Sequence, residues 1–117
     1  MAVVITPVLV WAGGATGAMA RYTLSRTLER DLLDTLAVNV LGSVLLGLIV
    51  TAPVGESVAV AAGTGFCGAF TTFSSFAVET VQLAENDELG TAAVYAGGML
   101  AAALVGVLVG SAAGTAL

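Results

Sequence analysis

The segment GFCGAFTTFSSF, residues 65–76, gathers all four phenylalanines of the chain beside four hydroxyl side chains. Phe73 and Phe76 are three residues apart, so they share one face where the segment is helical. The edge of a phenyl ring is the positive part of its quadrupole. Two ring edges beside hydroxyl donors form a dry site that suits a small anion, whereas a lone aromatic pair more often serves packing.

Three glycines, Gly63, Gly65 and Gly68, come just before the run of Thr, Ser and Phe at residues 71–76. Glycine tolerates backbone conformations that a helix does not use, so these residues predict a break in the helix. A broken helix inside a membrane exposes carbonyl oxygens that bind ions. Carbonyls near Gly68 and Thr71 could therefore hold a cation.

Asn39, in the apolar stretch LAVNVLGS, is a second candidate. Its amide carries two N–H donors and an acceptor, and each costs free energy if it is left unpaired in an apolar setting. Two interpretations stay open, because the amide either clips one helix to another or donates to an anion in a pathway. Other polar side chains in or near the apolar stretches are Ser43, Thr64, Thr71, Thr72, Ser74, Ser75, Tyr95, Arg21 and Glu79.

The elements that position these side chains must lie in a lipid bilayer, because 58% of the 117 residues are hydrophobic and only 9% are charged. A helix needs about 20 mostly apolar residues to span the hydrocarbon core, and about four such spans fit. We predict an all-α, multi-pass cell-membrane protein with one membrane domain, residues 1–117, and no soluble catalytic domain. The sequence has no basic patch that would bind nucleic acid.

The spans and their small-residue rows can be placed along the chain. The predicted spans are residues 3–22, 35–52, 57–83 and 89–113, with the break in the third. Small residues recur at intervals of four on the first and fourth spans, at Gly13 and Gly17, and at Gly98, Ala102, Gly106, Gly110 and Gly114. Such a row is a smooth helix face that lets backbones approach closely in lipid, so it predicts helix packing.

Three blocks of the sequence, in this order, resemble the Fluc/CrcB family of fluoride channels. They are GGATGAMARY at 13–22, VNVLGSVLLG at 38–47 and GFCGAFTTFSSFAVE at 65–79. The third block is highly specific, and the match covers three of the four spans. The resemblance implies a channel that passively exports fluoride from the cytoplasm to limit its toxicity, and not an enzyme.

The resemblance also implies an antiparallel, dual-topology dimer with two fluoride pathways on either side of a structural sodium ion that is not transported. Backbone carbonyls of Gly68 and Thr71 would hold the sodium. The residues that it implies along the fluoride pathway are Arg21, Asn39, Phe73, Ser75, Phe76, Glu79 and Tyr95. After Tyr95 the family commonly continues with hydroxyl residues at helical intervals, where this chain has Gly98, Met99 and Ala102.

All three basic residues, Arg21, Arg26 and Arg30, lie at the end of the first span or in the connector after it. Because cytoplasmic loops collect Lys and Arg, this connector is predicted to face the cytoplasm. One hypothesis is that the chain takes a single orientation and pairs with an oppositely oriented homologue. The alternative is an antiparallel homodimer.

Two other functions stand as alternatives. A small multidrug-type exporter has a similar length and four spans, but it would need an acidic residue in the first span, and residues 3–20 contain none. A structural subunit of a larger membrane complex would explain the glycine rows. It would not explain Asn39 or the cluster of Thr, Ser and Phe.

Overall fold

The computed structural model of the chain describes residues 2–28 and 31–117. The helices in chain order are α1 (Ala2–Thr27), α2 (Asp31–Thr51), α3 (Glu56–Ala59), a π-helix (Val60–Cys67), α4 (Gly68–Phe70), α5 (Ser74–Glu85) and α6 (Leu89–Thr115). Arg30, one of the arginines on which the predicted orientation depends, lies outside the described residues. The helix of the first span continues to Thr27, beyond the predicted end of that span at Tyr22.

Four stretches of the described chain are helical, long and apolar enough to cross a membrane. They are Val3–Thr27, Leu32–Thr51, Glu56–Glu85 and Leu89–Thr115. Even the shortest, of 20 residues, is about 30 Å long at the rise of an α-helix, which matches the hydrocarbon core. Over the described residues, the predicted all-helical fold with four helices long and apolar enough to cross a membrane is therefore confirmed.

The third span, Glu56–Glu85, is interrupted, as predicted. After Phe70 the backbone becomes extended at Thr71, with φ −85° and ψ 163°, and helix resumes at Ser74. The glycines before the interruption are themselves helical; Gly68 has φ −60° and ψ −36°. Glycine flexibility is therefore not the cause of the break, and its position depends on contacts made after Gly68.

The first and third spans pack backbone to backbone through glycine. A Cβ added to Gly13 would lie 2.0 Å from the carbonyl oxygen of Ala61, and one added to Gly17 would lie 2.3 Å from that of Phe66. Both distances are impossible for real atoms, so this approach of α1 to the π-helix requires glycine. The predicted packing role of Gly13 and Gly17 is confirmed.

The second and fourth spans pack in the same way. Gly106, Gly110 and Gly114 are buried against α2, and a Cβ on Gly110 would lie 1.9 Å from the Val44 carbonyl oxygen. From the other side, Gly47 of α2 faces the Val107 carbonyl of α6, 2.3 Å from its Cβ position. The predicted row does not extend to Gly98, because a Cβ there would meet no atom within 4 Å.

Candidate functional site

A groove of about 450 Å³ lies beside the interruption in the third span. Its walls come from α2, the third span and α6. The residues that line it include Asn39, Ser43, Gly68, Thr71, Thr72, Phe73, Phe76 and Met99. The fold therefore brings the predicted amide, the two predicted phenyl rings and both predicted carbonyl residues to one space.

The side chain of Asn39 is bonded to the main chain at the interruption. Its Nδ2 donates to the carbonyl of Thr72 at 2.9 Å, and its Oδ1 accepts from the Thr72 N–H at 2.8 Å. Nδ2 also lies 3.7 Å from the sulfur of Met99, which is a weak acceptor. The amide therefore joins α2 to the third span through two hydrogen bonds. Its second N–H has only the Met99 sulfur as a weak acceptor.

The phenyl rings form two pairs with different surroundings. The centroids of Phe73 and Phe76 lie 5.9 Å apart with the rings tilted by 55°, and the Phe73 side chain is 77% exposed. Phe66 and Phe70 stack 5.4 Å apart, and Phe70 is buried. The first pair borders the groove, and the second pair has the environment of packing residues.

Glu79, Tyr95 and Thr35 form a hydrogen-bonded group, the Glu79 cluster, next to the Phe76 ring that borders the groove. The Phe76 centroid is 5.6 Å from that of Tyr95, and the Tyr95 hydroxyl donates to Glu79 Oε2 at 2.8 Å. The other carboxylate oxygen, Oε1, accepts from the hydroxyl of Thr35. Each oxygen of Glu79 thus has one hydroxyl donor, and the cluster continues the polar surface past the rings.

Thr35, which is 3% exposed, is a site residue that the sequence analysis missed. It lies at the start of the second span, where polar side chains are common and do not by themselves indicate a site. The spacing of Thr35, Asn39 and Ser43 carries the signal, because residues four apart lie on one helix face. This polar row of α2 runs from the Glu79 cluster to the groove.

Besides Glu79 and Tyr95, two further predicted residues, Ser75 and Arg21, lie away from the groove walls. The backbone N–H of Ser75 donates to the Thr72 hydroxyl at 3.2 Å, so this hydrogen bond does not use the Ser75 side chain. Arg21 lines a separate pocket of about 300 Å³ with Tyr22, Ser25 and Ala69. The structure therefore does not bring the Arg21 or Ser75 side chains to the same space as Asn39.

The carbonyl group of Gly68, just before the interruption, has lost its helical donor. In an α-helix the N–H of Thr72 would donate to the carbonyl of Gly68, four residues earlier. That N–H donates to Asn39 instead. Gly68 is exposed on the groove, with no atom within 4 Å of its Cβ position, so its main chain is open to an approaching group.

Comparison with known proteins assigns the chain to a family. The family model described as CrcB-like protein, Camphor Resistance (CrcB), matches residues 8–111. The chain belongs to the Fluc/CrcB family. The four long apolar helices found among its described residues make this member of the Fluc/CrcB family a multi-pass membrane protein.

Named relatives of this Fluc/CrcB protein share most of its length. It is 54% identical to "Fluoride-specific ion channel FluC 2" of Natronomonas pharaonis, over 97% of each chain. It is 52% identical to the protein of the same name in Haloarcula marismortui, over 85% of each chain. A "Fluoride-specific ion channel FluC" of Acidobacterium capsulatum is 39% identical, over 87% of this chain and 90% of the relative.

Thr35→Val is expected to lower the free energy of unfolding of this Fluc/CrcB protein by about 1–3 kcal/mol, because the variant keeps the side-chain shape but leaves a Glu79 oxygen without its donor. Equilibrium unfolding in detergent micelles, followed by circular dichroism, measures the change. Thr80→Val is the matched control, since the Thr80 hydroxyl bonds only within its own helix, to the Phe76 carbonyl at 2.7 Å. Equal losses in both variants would contradict a specific role for the Thr35 contact.

Proposed function

We propose that this protein is a fluoride-specific ion channel, and not an enzyme. It passively exports fluoride from the cytoplasm and so limits the toxicity of fluoride to the cell. The convergence of Phe73, Phe76 and the Asn39 amide on one groove carries the proposal. The family membership and the names of the relatives agree with it. The flow follows the electrochemical gradient.

Fluoride holds its hydration water tightly, so a selective path must replace that water with donors. The N–H of Asn39 that has only the Met99 sulfur nearby is one such donor. The edges of Phe73 and Phe76 add positive quadrupole ends without a fixed charge that would trap the anion. These groups bind a small anion weakly enough to release it, which a channel requires.

The Glu79 cluster extends the proposed path beyond the phenyl rings. The ring of Tyr95 touches that of Phe76, so the groove and the cluster are adjacent. The hydroxyls of Thr35 and Tyr95 both donate to the Glu79 carboxylate. Each can rotate about its C–O bond and donate to an anion in the path instead. We assign Ser75 to this polar part of the path and Arg21, near the predicted end of the first span, to a pathway entrance.

Backbone carbonyls at the interruption fit a structural sodium ion. Carbonyl oxygens are hard donors of the kind that hard cations take, and Gly68 and Thr71 both line the groove. The Gly68 carbonyl has lost its helical donor, because the Thr72 N–H donates to Asn39. A bound sodium would supply fixed positive potential near the anion path, which is influential at low dielectric.

A single chain leaves the proposed pathway open on one side. Phe73 is 77% exposed, and Gly68 has open space beside it. We propose that an oppositely oriented second subunit covers this side, giving two fluoride pathways around a central sodium. The partner is a homologue if this chain takes one orientation, and a second copy if it takes both.

Fluoride efflux from liposomes tests the proposed function directly. The purified chain, alone and with its homologue, is reconstituted in vesicles loaded with potassium fluoride, and external fluoride is followed with an electrode after valinomycin is added. Rapid fluoride release without chloride release from matched vesicles is expected. No release from a folded protein under either condition would overturn the channel and favour a structural role.

The arginine distribution predicts one orientation of the chain, with the connectors after the first and third spans in the cytoplasm. Asn86→Cys, in the connector between α5 and α6, is expected to resist a membrane-impermeant maleimide in intact cells and to react after lysis. The unchanged chain is the control, because its Cys67 is buried. Labelling of about half of the variant in intact cells would instead show both orientations, which an antiparallel homodimer requires.

A further inference from the structure

The interruption in the third span begins where one N–H changes its partner. The N–H of Thr71 still follows the helical rule and donates to the carbonyl of Cys67 at 3.1 Å. The next N–H, that of Thr72, donates 2.8 Å to Oδ1 of Asn39 and not to the carbonyl of Gly68. Asn39 is therefore the partner that takes over at the first residue where helical bonding stops.

The same amide also satisfies the other polar group of Thr72. Its Nδ2 donates to the Thr72 carbonyl at 2.9 Å, and Thr72 is only 9% exposed. At membrane depth a backbone group without a partner is strongly unfavourable, so an interruption must be supplied with donors and acceptors from elsewhere. Asn39 supplies one of each to a single residue.

We infer that Asn39 is a positioning residue for the cation site. By holding the Thr72 N–H, it keeps the Gly68 carbonyl free to bind sodium. Without the amide, the Thr72 N–H returns to the Gly68 carbonyl and the helix extends across the site. The inference rests on the proposed function and deepens it, because one side chain then serves both the anion groove and the cation site.

Sodium-dependent stability is the readout, since it does not require flux. The purified protein in detergent is unfolded thermally at increasing NaCl, with N-methylglucamine chloride keeping the ionic strength constant. The unchanged chain is expected to gain stability with sodium. In Asn39→Ala, the half-saturating sodium concentration is expected to rise by about tenfold or more, the usual cost of removing a group that orients metal ligands.

A second substitution tests the direction of cause. Proline at position 72 has no N–H to donate, and it favours an extended residue before it, which Thr71 already is. The double variant Asn39→Ala, Thr72→Pro should therefore keep the Gly68 carbonyl free and bring the sodium response back to within about threefold of the unchanged chain, well inside the tenfold loss. Asn39→Asp, which can still accept from the Thr72 N–H, should also retain the response.

Ser43→Ala is the matched control, because Ser43 lines the same groove one turn further along α2 but bonds its own helix, to the Asn39 carbonyl. Its sodium response should equal that of the unchanged chain. A normal response in Asn39→Ala, or a double variant as weak as Asn39→Ala, would overturn the inference. If Asn39→Ala alone does not fold, failure of the double variant to recover folding and response would overturn it too.

The channel and the positioning role fail separately. Fluoride efflux from the unchanged chain without any sodium response would overturn the positioning role and leave the channel standing. A sodium response that depends on Asn39, in a protein that releases no fluoride, would overturn the channel and leave the positioning role standing. Both measurements use the full-length chain, with its homologue present if pairing requires it.

Discussion

Replacing Phe76 with isoleucine is expected to lower fluoride efflux from liposomes by roughly tenfold, the effect on rate of about 1.4 kcal/mol from the loss of one quadrupolar ring contact. Phe76 lies between Phe73 and Tyr95, at centroid distances of 5.9 and 5.6 Å, so its ring joins the groove to the Glu79 cluster. Isoleucine fills similar space but presents no positive ring edge. The initial rate of efflux per folded protein measures the loss.

Phe66→Ile is the control for loss of an aromatic ring. Phe66 comes from the same segment but stacks on Phe70 and does not border the groove. Its replacement is expected to lower stability while leaving the rate per folded channel close to that of the unchanged protein. Equal loss of rate in both variants would contradict a direct contact between Phe76 and the anion.

Gly110→Val is expected to lower the free energy of unfolding by about 3 kcal/mol, which is a typical upper value for overpacking of a close contact. A Cβ at this position would lie 1.9 Å from the carbonyl oxygen of Val44 and 2.8 Å from its carbonyl carbon. Those atoms belong to the backbone of α2 and cannot rotate aside as a side chain would. The α2 and α6 helices must therefore separate, and the contact made by Gly47 on the facing helix is lost with them.

Gly98→Ala is the matched control on the same helix. A Cβ at Gly98 would meet no atom within 4 Å, so only the backbone effect remains. Alanine in a helix interior is more stable than glycine by roughly 0.5–1 kcal/mol, so this variant should be slightly stabilised. Thermal unfolding in detergent and the fraction eluting as folded protein report both changes, and destabilisation by both variants alike would contradict the packing explanation.

The number of helices and the glycine contacts followed from local properties of the chain. Composition predicted four apolar helices, and the interval of four between Gly106, Gly110 and Gly114 predicted the face on which α6 is buried. The row failed at Gly98 because spacing describes one helix and does not show how closely its neighbour approaches at each position. Only the packed structure shows how far α2 accompanies α6.

The candidate site was predicted in part, for a related reason. Asn39, Phe73 and Phe76 stood out because polar and aromatic residues are conspicuous in an apolar chain, and the fold brings them to one groove. Thr35 did not stand out, because a threonine at a helix start is ordinary until the carboxylate of Glu79 is found beside it. Those two residues are 44 positions apart in the chain, so no local pattern joins them.

By itself the sequence determined that the chain is an all-helical membrane protein, that its helices meet through glycine, and that its third span is interrupted near the cluster of Thr, Ser and Phe. The tertiary structure decided where that interruption begins and what satisfies it. The glycines that predicted the break are helical, and the break falls at Thr71–Phe73, where the amide of Asn39 binds the backbone of Thr72. A backbone at membrane depth can leave its helix only where another segment supplies hydrogen bonds, and that supply comes from 33 residues away.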